Sequence, residues 1–167
     1  FQPLFDASLQ EDDARRYVID NDVLVPTPDG ASIAVMLVRP AKAARLPALL
    51  QFTIYANDAL YRRDAKAMAA RGYVGVAAYS RGKGRSPDAI APFEHDGADA
   101  AAVIDWVAAQ PWSDGRVGMF GGSYNSFAQW APLKHRPKAL KAIATSASAA
   151  PGIDVPMEGG IFLNFMY

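Results

Sequence analysis

The apolar residues divide the chain into short blocks. Tyr17–Val25 and Ser32–Arg39 are strand-like runs, and Pro26-Thr27-Pro28-Asp29-Gly30 between them places proline and glycine in turn positions. This segment predicts an antiparallel hairpin. After Pro40 the pattern changes. Ala48–Ile54 is a near-continuous apolar run of strand length, and Ala59–Arg71 is alanine-rich and helix-forming, with Gly72 to end it. Tyr73–Ala78 reads as another buried strand. In Asp96–Gln110 the residues Ala100, Val103, Ile104, Val107 and Ala108 form the i, i+3, i+4, i+7, i+8 stripe of a core-facing helix. Pro111 stops that helix, Ser113-Asp114-Gly115 turns the chain, and Arg116–Phe120 is a short strand. A helix from Tyr124 to about Lys134 and a strand Leu140–Thr145 follow, and the small residues from Thr145 to Gly152 predict a loop. A hairpin followed by alternating strands and helices is the signature of an α/β fold, with a mostly parallel sheet and helices on both faces.

Composition narrows the function class. The 167 residues fit one ordinary domain or a piece of a larger one, and 51% hydrophobic content excludes global disorder. The 17 basic and 17 acidic side chains cancel, which argues against a nucleic-acid or anionic-membrane partner. With no cysteine, disulfides, thiolate catalysis and cysteine-ligated metal are excluded. No apolar run reaches the roughly 18–20 residues that span a bilayer. Glu11–Arg16 reads as a solvated turn or short helix. The chain starts at Phe1 without a basic and apolar leader, so the expectation is a removed leader or numbering that begins inside a longer product. The apolar, uncharged run Ile161–Tyr167 suggests that something normally follows it.

Three segments can carry chemistry. In Val117–Tyr124 a buried strand runs into Gly121-Gly122-Ser123 and a helix starts at once. That is the context of a nucleophile elbow, where small neighbours permit the strained turn and the helix N-terminus offers free N–H groups to an oxyanion. A plain glycine-rich turn and a nucleotide loop are the alternatives; against the latter, neither G-x-G-x-x-G nor Gly-Lys-Ser/Thr is formed. The usual last glycine of G-x-S-x-G is replaced by Asn125. Second, Thr53–Asp58 lies at the end of the first parallel strand, where hydrolases of this architecture donate to the oxyanion. Tyr55 can do so; a ring simply packed on the sheet edge is the simpler reading of the residue alone. Third, Ser80–Pro87 is basic and glycine-rich, and reads better as a tight loop leaving a strand than as a phosphate cradle. His95 and His135 both fail as triad bases on position. His95 precedes the serine, and His135 closes the helix that Ser123 opens, roughly 15 Å or more away at about 1.5 Å per residue. Surface or capping roles suit both. Asp99 and Asp105 read as capping or solvated.

Taken together, several segments resemble the X-Pro dipeptidyl-peptidase (S15) family of alpha/beta-hydrolases, the group that contains cocaine-esterase-like acyl esterases and alpha-amino-acid ester hydrolases. They are Pro28-Asp29-Gly30, Ile54-Tyr55, Ala70–Tyr73, Ser80–Ser86, Trp106 through Gln110–Ser113, Gly115–Tyr124 and Leu140–Ile143. They stand in the family's order and cover about residues 17–165. The family's elbow is G-x-S-Y-x-G, so the departure falls on Ser126 rather than Asn125, and Ile54 replaces the family's usual proline. The resemblance implies an incomplete alpha/beta-hydrolase fold: a surface segment over 1–16, the N-terminal part of the catalytic domain over 17–150, and the start of a cap region over 151–167. It implies Ser123 as nucleophile, with Tyr55 OH and the Tyr124 backbone N–H as oxyanion hole, acting on a small ester, amide or peptide. It implies no cofactor and no metal. The triad Asp and His have no candidate here and are expected downstream, in a remainder of the hydrolase chain. The alternatives are a non-catalytic half-domain that binds a partner or a second copy through its apolar C-terminal segment, and, more weakly, a nucleotide-binding Rossmann-like unit.

Overall fold

The turn signal at Pro26–Gly30 sits where the chain reverses. In the computed structural model, which describes residues 13–42, 44–151, 153, 155, 157–158 and 161–162, β1 (Tyr17–Pro26) and β2 (Ser32–Pro40) pair antiparallel, with a bulge between Asp20 and Val23. There follow β3 (Leu46–Thr53), α1 (Asp58–Ala69), β4 (Val74–Tyr79), α2 (Asp96–Ala109), β5 (Ser113–Gly122), α3 (Tyr124–Trp130), a 3₁₀ turn Ala131–His135 and β6 (Leu140–Ser146). Met157–Glu158 and Ile161–Phe162 form a separate small antiparallel ladder. Six strands make one sheet in the order β1-β2-β4-β3-β5-β6. The β2–β4 pair is antiparallel, whereas β3–β4, β3–β5 and β5–β6 are parallel.

Alternation along the strands sorts side chains to two cores. Ile33, Val35 and Leu37 of β2 join Leu50, Phe52, Val76 and Met119 beneath Val103, Ile104 and Val107 of α2. Their neighbours Ala34, Met36 and Val38 face the other way, onto Tyr61, Ala65 and Ala69 of α1. Helices therefore cover both faces, as the strand–helix alternation predicts. The expected α/β fold forms, with a mostly parallel sheet whose carboxyl edge gathers the ends of β3, β4 and β5.

Three local expectations need correction. Ser113-Asp114-Gly115 is not a separate turn. It lies inside β5 as an irregularity, where Leu46 pairs Ser113 but Ala48 already pairs Val117. The helix predicted to about Lys134 stays α-helical only to Trp130, because Pro132 has no N–H for the next turn and the chain tightens to 3₁₀. Asp99 is neither solvated nor a cap. It is 1% exposed and accepts from Arg81 Nε at 2.8 Å and Nη2 at 2.6 Å, the pairing that makes its burial tolerable. Asp105 is exposed, as expected. The N-terminal segment over 1–16 is described only from Asp13, where residues 13–16 are helical. Most of the segment over 151–167, including nearly all of the apolar run toward Tyr167, lies outside the described residues.

Candidate active site

Ser123 joins β5 to α3 with φ +58° and ψ −125°, a conformation that non-glycine residues seldom take. The surroundings hold it there. Its N–H donates to Ser146 O on β6 at 3.0 Å, and its carbonyl accepts from the N–H groups of Ser126 and Phe127. The two preceding glycines are required by close approach. A Cβ on Gly121, where φ is +136°, would lie 2.7 Å from Asn125 Cβ, and one on Gly122 would lie 2.8 Å from Ser146 Oγ. Fully buried Gln129 completes the frame: its Nε2 donates to Gly121 O and Asn125 O, and its Oε1 accepts from Ala144 N–H. The result is an exposed serine hydroxyl on an over-determined backbone at the carboxyl edge of the sheet.

Tyr55 comes from the loop after β3, the strand beside β5. Its N–H donates to Thr53 Oγ1 at 3.0 Å, and its hydroxyl donates to Ser123 Oγ at 3.2 Å. The ring stands half-exposed and meets the Tyr124 ring edge-on at 6.5 Å. The structure thus brings together Ser123, Tyr55 and Tyr124, all three residues singled out from the sequence. The side chain of Tyr124 is engaged by Asp96 and Phe93. Its hydroxyl donates to Asp96 Oδ2 at 2.7 Å and accepts from Phe93 N–H at 3.0 Å. Burial, with the charge of Asp96 beside it, pushes the Tyr124 phenol well above its ordinary range, so it stays a neutral donor. The backbone N–H of Tyr124 is the first of α3, a position with no intrahelical acceptor.

The histidines lie elsewhere. His95 occupies the N-cap position of α2 without a side-chain cap bond, and His135 ends the 3₁₀ turn, exposed. No hydrogen bond joins either imidazole to Ser123. The loop Ser80–Pro87 is structural, as read: Arg81 reaches Asp99 and Asp29, and Ser86 Oγ donates to Tyr79 O and accepts from Ala34 N–H.

Four site-framing residues were not singled out from the sequence: Asp96, Tyr61, Asn125 (named only as a departure from a motif) and Gln129. For Asp96 a signal existed. Asp96, Asp99, Ala100 and Val103 continue the core-facing stripe of α2 toward its N-terminus, so both carboxylates were placed on the buried side. Asp96 accepts from Ser80 Oγ at 2.7 Å, Phe93 N–H at 2.9 Å and the Tyr124 hydroxyl. At the elbow itself Ser126, standing where the family has glycine, is fully buried and its Oγ has no partner; Asn125 Oδ1 has none either.

The family model described as X-Pro dipeptidyl-peptidase (S15 family) matches residues 29–166. The chain is 34% identical over 155 residues to a cocaine esterase of Rhodococcus sp. (strain MB1 Bresler), covering 86% of this chain and 26% of that protein. Among solved structures, an alpha-amino acid ester hydrolase superposes with a TM-score of 0.73 at 26% identity, covering 84% of this chain and 27% of the other. A CocE/NonD family hydrolase from Staphylococcus aureus does so with a TM-score of 0.69 at 26% identity, covering 76% and 27%. The chain spans about a quarter of the length of the curated relatives it matches.

Proposed function

This chain belongs to the X-Pro dipeptidyl-peptidase (S15) family of hydrolases, and on that basis we propose that it carries the nucleophile and oxyanion hole of a serine acyl hydrolase. Ser123 Oγ attacks the carbonyl carbon of an ester or amide, and its proton passes to a general base. The carbonyl oxygen becomes an oxyanion held by the Tyr55 hydroxyl and the Tyr124 N–H. The tetrahedral species collapses, the leaving alcohol or amine takes the proton back from the base, and an acyl-Ser123 remains. Water, deprotonated by the same base, then attacks the acyl carbon and releases the acid and free Ser123.

The observation that carries this reading is the strained, exposed Ser123 with the Tyr55 hydroxyl 3.2 Å from its Oγ. Strain at a residue fixed by its surroundings is a mark of functional sites. The relatives named for ester substrates favour an ester as the bond cleaved. In this reading the base is a histidine oriented by a carboxylate, both outside these 167 residues. In support, neither His95 nor His135 is hydrogen-bonded to Ser123, and the relatives are about four times as long. Residues 17–150 are then the N-terminal part of the catalytic domain, and 151–167 begin its cap.

Hydrolysis of a p-nitrophenyl ester tests the reading. The 167-residue chain should show negligible turnover, since loss of a triad member lowers kcat by about 10⁴–10⁶. A protein that includes the base should turn over and lose its activity in Ser123→Ala. Turnover by the short chain that vanishes in Ser123→Ala would overturn the external base, and a base-containing protein that stays active as Ser123→Ala would overturn the nucleophile.

A further inference from the structure

The two halves of the proposed oxyanion hole sit on separate elements, and a catalytic constellation works only when such halves are held within about 0.5 Å of the productive geometry. A buried chain of hydrogen bonds joins them. The Tyr55 N–H donates to Thr53 Oγ1 at 3.0 Å. The Thr53 and Tyr61 hydroxyls lie 2.6 Å apart. Asn125 Nδ2, on the second residue of α3, donates to Tyr61 OH at 3.2 Å. Thr53 is 0%, Tyr61 3% and Asn125 5% exposed, so water does not compete for the Thr53–Tyr61 and Tyr61–Asn125 bonds.

The donor order follows from the chemistry. With Asn125 Nδ2 donating, Tyr61 O accepts and its single proton goes to Thr53 Oγ1, which then accepts from both Tyr61 and the Tyr55 N–H. Turning the amide over reverses the donors and keeps the bridge. Tyr61 itself cannot drift. Its N–H donates to Asn57 O in the first turn of α1, and its ring meets Tyr79 edge-on at 6.0 Å. Asn125 is held in turn by Gln129, whose Nε2 donates to its carbonyl, and lies close to Gly121, where an added Cβ would fall 2.7 Å from Asn125 Cβ.

We infer that Tyr61 is a positioning residue for acyl transfer, fixing the Tyr55 hydroxyl relative to Ser123 by tying the β3–α1 loop to the elbow through Thr53 and Asn125. This rests on the acyl-transfer reading above. It makes Tyr61 act through Tyr55, without touching the substrate.

The test uses the 167-residue chain and phenylboronic acid, followed by ¹¹B NMR. The Ser123 Oγ–boron bond forms, the serine proton leaves to buffer, and the boron becomes a tetrahedral anion whose oxygen occupies the oxyanion position. Wild type should form the adduct and Ser123→Ala should not. Tyr61→Phe, which keeps the ring, should weaken the adduct by about ten- to hundredfold, the scale of a misplaced catalytic group. Tyr55→Phe/Tyr61→Phe should be no weaker than Tyr55→Phe alone, because both changes break one path. Thr53→Ser should keep wild-type affinity and Thr53→Val should behave as Tyr61→Phe. Amide exchange of the same samples should show the Tyr55 N–H exposed by Tyr61→Phe, while Ala77 in β4 stays protected. An adduct of unchanged strength in Tyr61→Phe, additive losses in the double variant, or an unmoved Tyr55 amide overturns the inference and leaves the hydrolase reading intact. A wild-type chain that forms no adduct overturns the hydrolase reading, and with it any oxyanion for Tyr61 to serve.

Discussion

The Tyr55 hydroxyl donates to Ser123 Oγ across 68 residues of chain. The two groups meet because β3 and β5 are neighbours in the sheet and both end at the same edge. In a protein that includes the base, Tyr55→Phe should lower kcat for ester hydrolysis roughly 10²–10³-fold and leave KM nearly unchanged, since the donor acts on charge that develops only in the transition state. Steady-state kinetics decides it, and an unchanged kcat removes Tyr55 from the mechanism.

Asp96 accepts from three groups, the Ser80 hydroxyl, the Tyr124 hydroxyl and the Phe93 N–H, at 3% exposure. Asp96→Ala leaves the Ser80 and Tyr124 hydroxyls without that acceptor, at about 1–3 kcal/mol each, while the Phe93 N–H keeps the Tyr124 hydroxyl. Urea unfolding should show a loss of about 3 kcal/mol or more. Asp96→Asn retains one acceptor oxygen and should lose less. Equal losses for the two variants would mean that volume, not acceptor capacity, sets the effect.

Arg81 is the only cation bonded to Asp99 among the described residues, and Asp99 is 1% exposed. Arg81→Met should destabilise by about 3–5 kcal/mol, the penalty of an uncompensated buried charge. Arg81→Met combined with Asp99→Leu should recover much of that loss in the same unfolding measurement.

The Asp29 carboxyl sits at the β1–β2 turn, where Thr27 Oγ1 donates to it at 2.6 Å and Arg81 Nη2 reaches both its oxygens. These bonds hold its pKa below the ordinary 3.8, at about 2. A group depressed in the folded state stabilises fully above its unfolded pKa and loses that contribution as pH falls through the folded value. The difference in Tm between wild type and Asp29→Asn should therefore be constant above about pH 5, shrink below it, and level off only below about pH 2. A difference that does not vary across that window would show that Asp29 has its ordinary pKa.

Ser126 carries a fully buried hydroxyl with no partner in the first turn of α3. Ser126→Ala removes an unsatisfied polar group and improves helix propensity, so it should raise stability by about 1 kcal/mol in urea unfolding. Destabilisation would reveal an acceptor for that hydroxyl.

Most of the architecture was legible because it is written in local pattern. The hairpin turn, the apolar strands, the stripe of α2 and the Gly-Gly-Ser step each lie within a dozen residues. What escaped was polar and long-range. The stripe of α2 places Asp99 on the buried side, but Arg81, the cation that pairs with it, comes from the end of β4. Tyr61 looks like one more ring on an alanine-rich helix until Asn125 approaches from the elbow. Neither pairing has a period, so nothing along the chain announces it. The family resemblance carried the role expected of Tyr55, which its own neighbours in sequence left as a ring on a sheet edge.

The adjacency of β3 and β5 has a dimensional consequence. Parallel neighbours in a sheet stand about 4.8 Å apart, a spacing set by backbone hydrogen bonds rather than by side chains. The loop bearing Tyr55 and the elbow bearing Ser123 leave those two strands one after the other along the sheet edge. Under the acyl-transfer reading, the coarse width of the gap that a carbonyl would enter is thus set by the peptide unit, and the Thr53–Tyr61–Asn125 bonds set the fine placement within it. In that reading, side-chain changes around the rim, away from Thr53, Tyr61 and Asn125, would alter which acyl groups fit without moving the strand spacing.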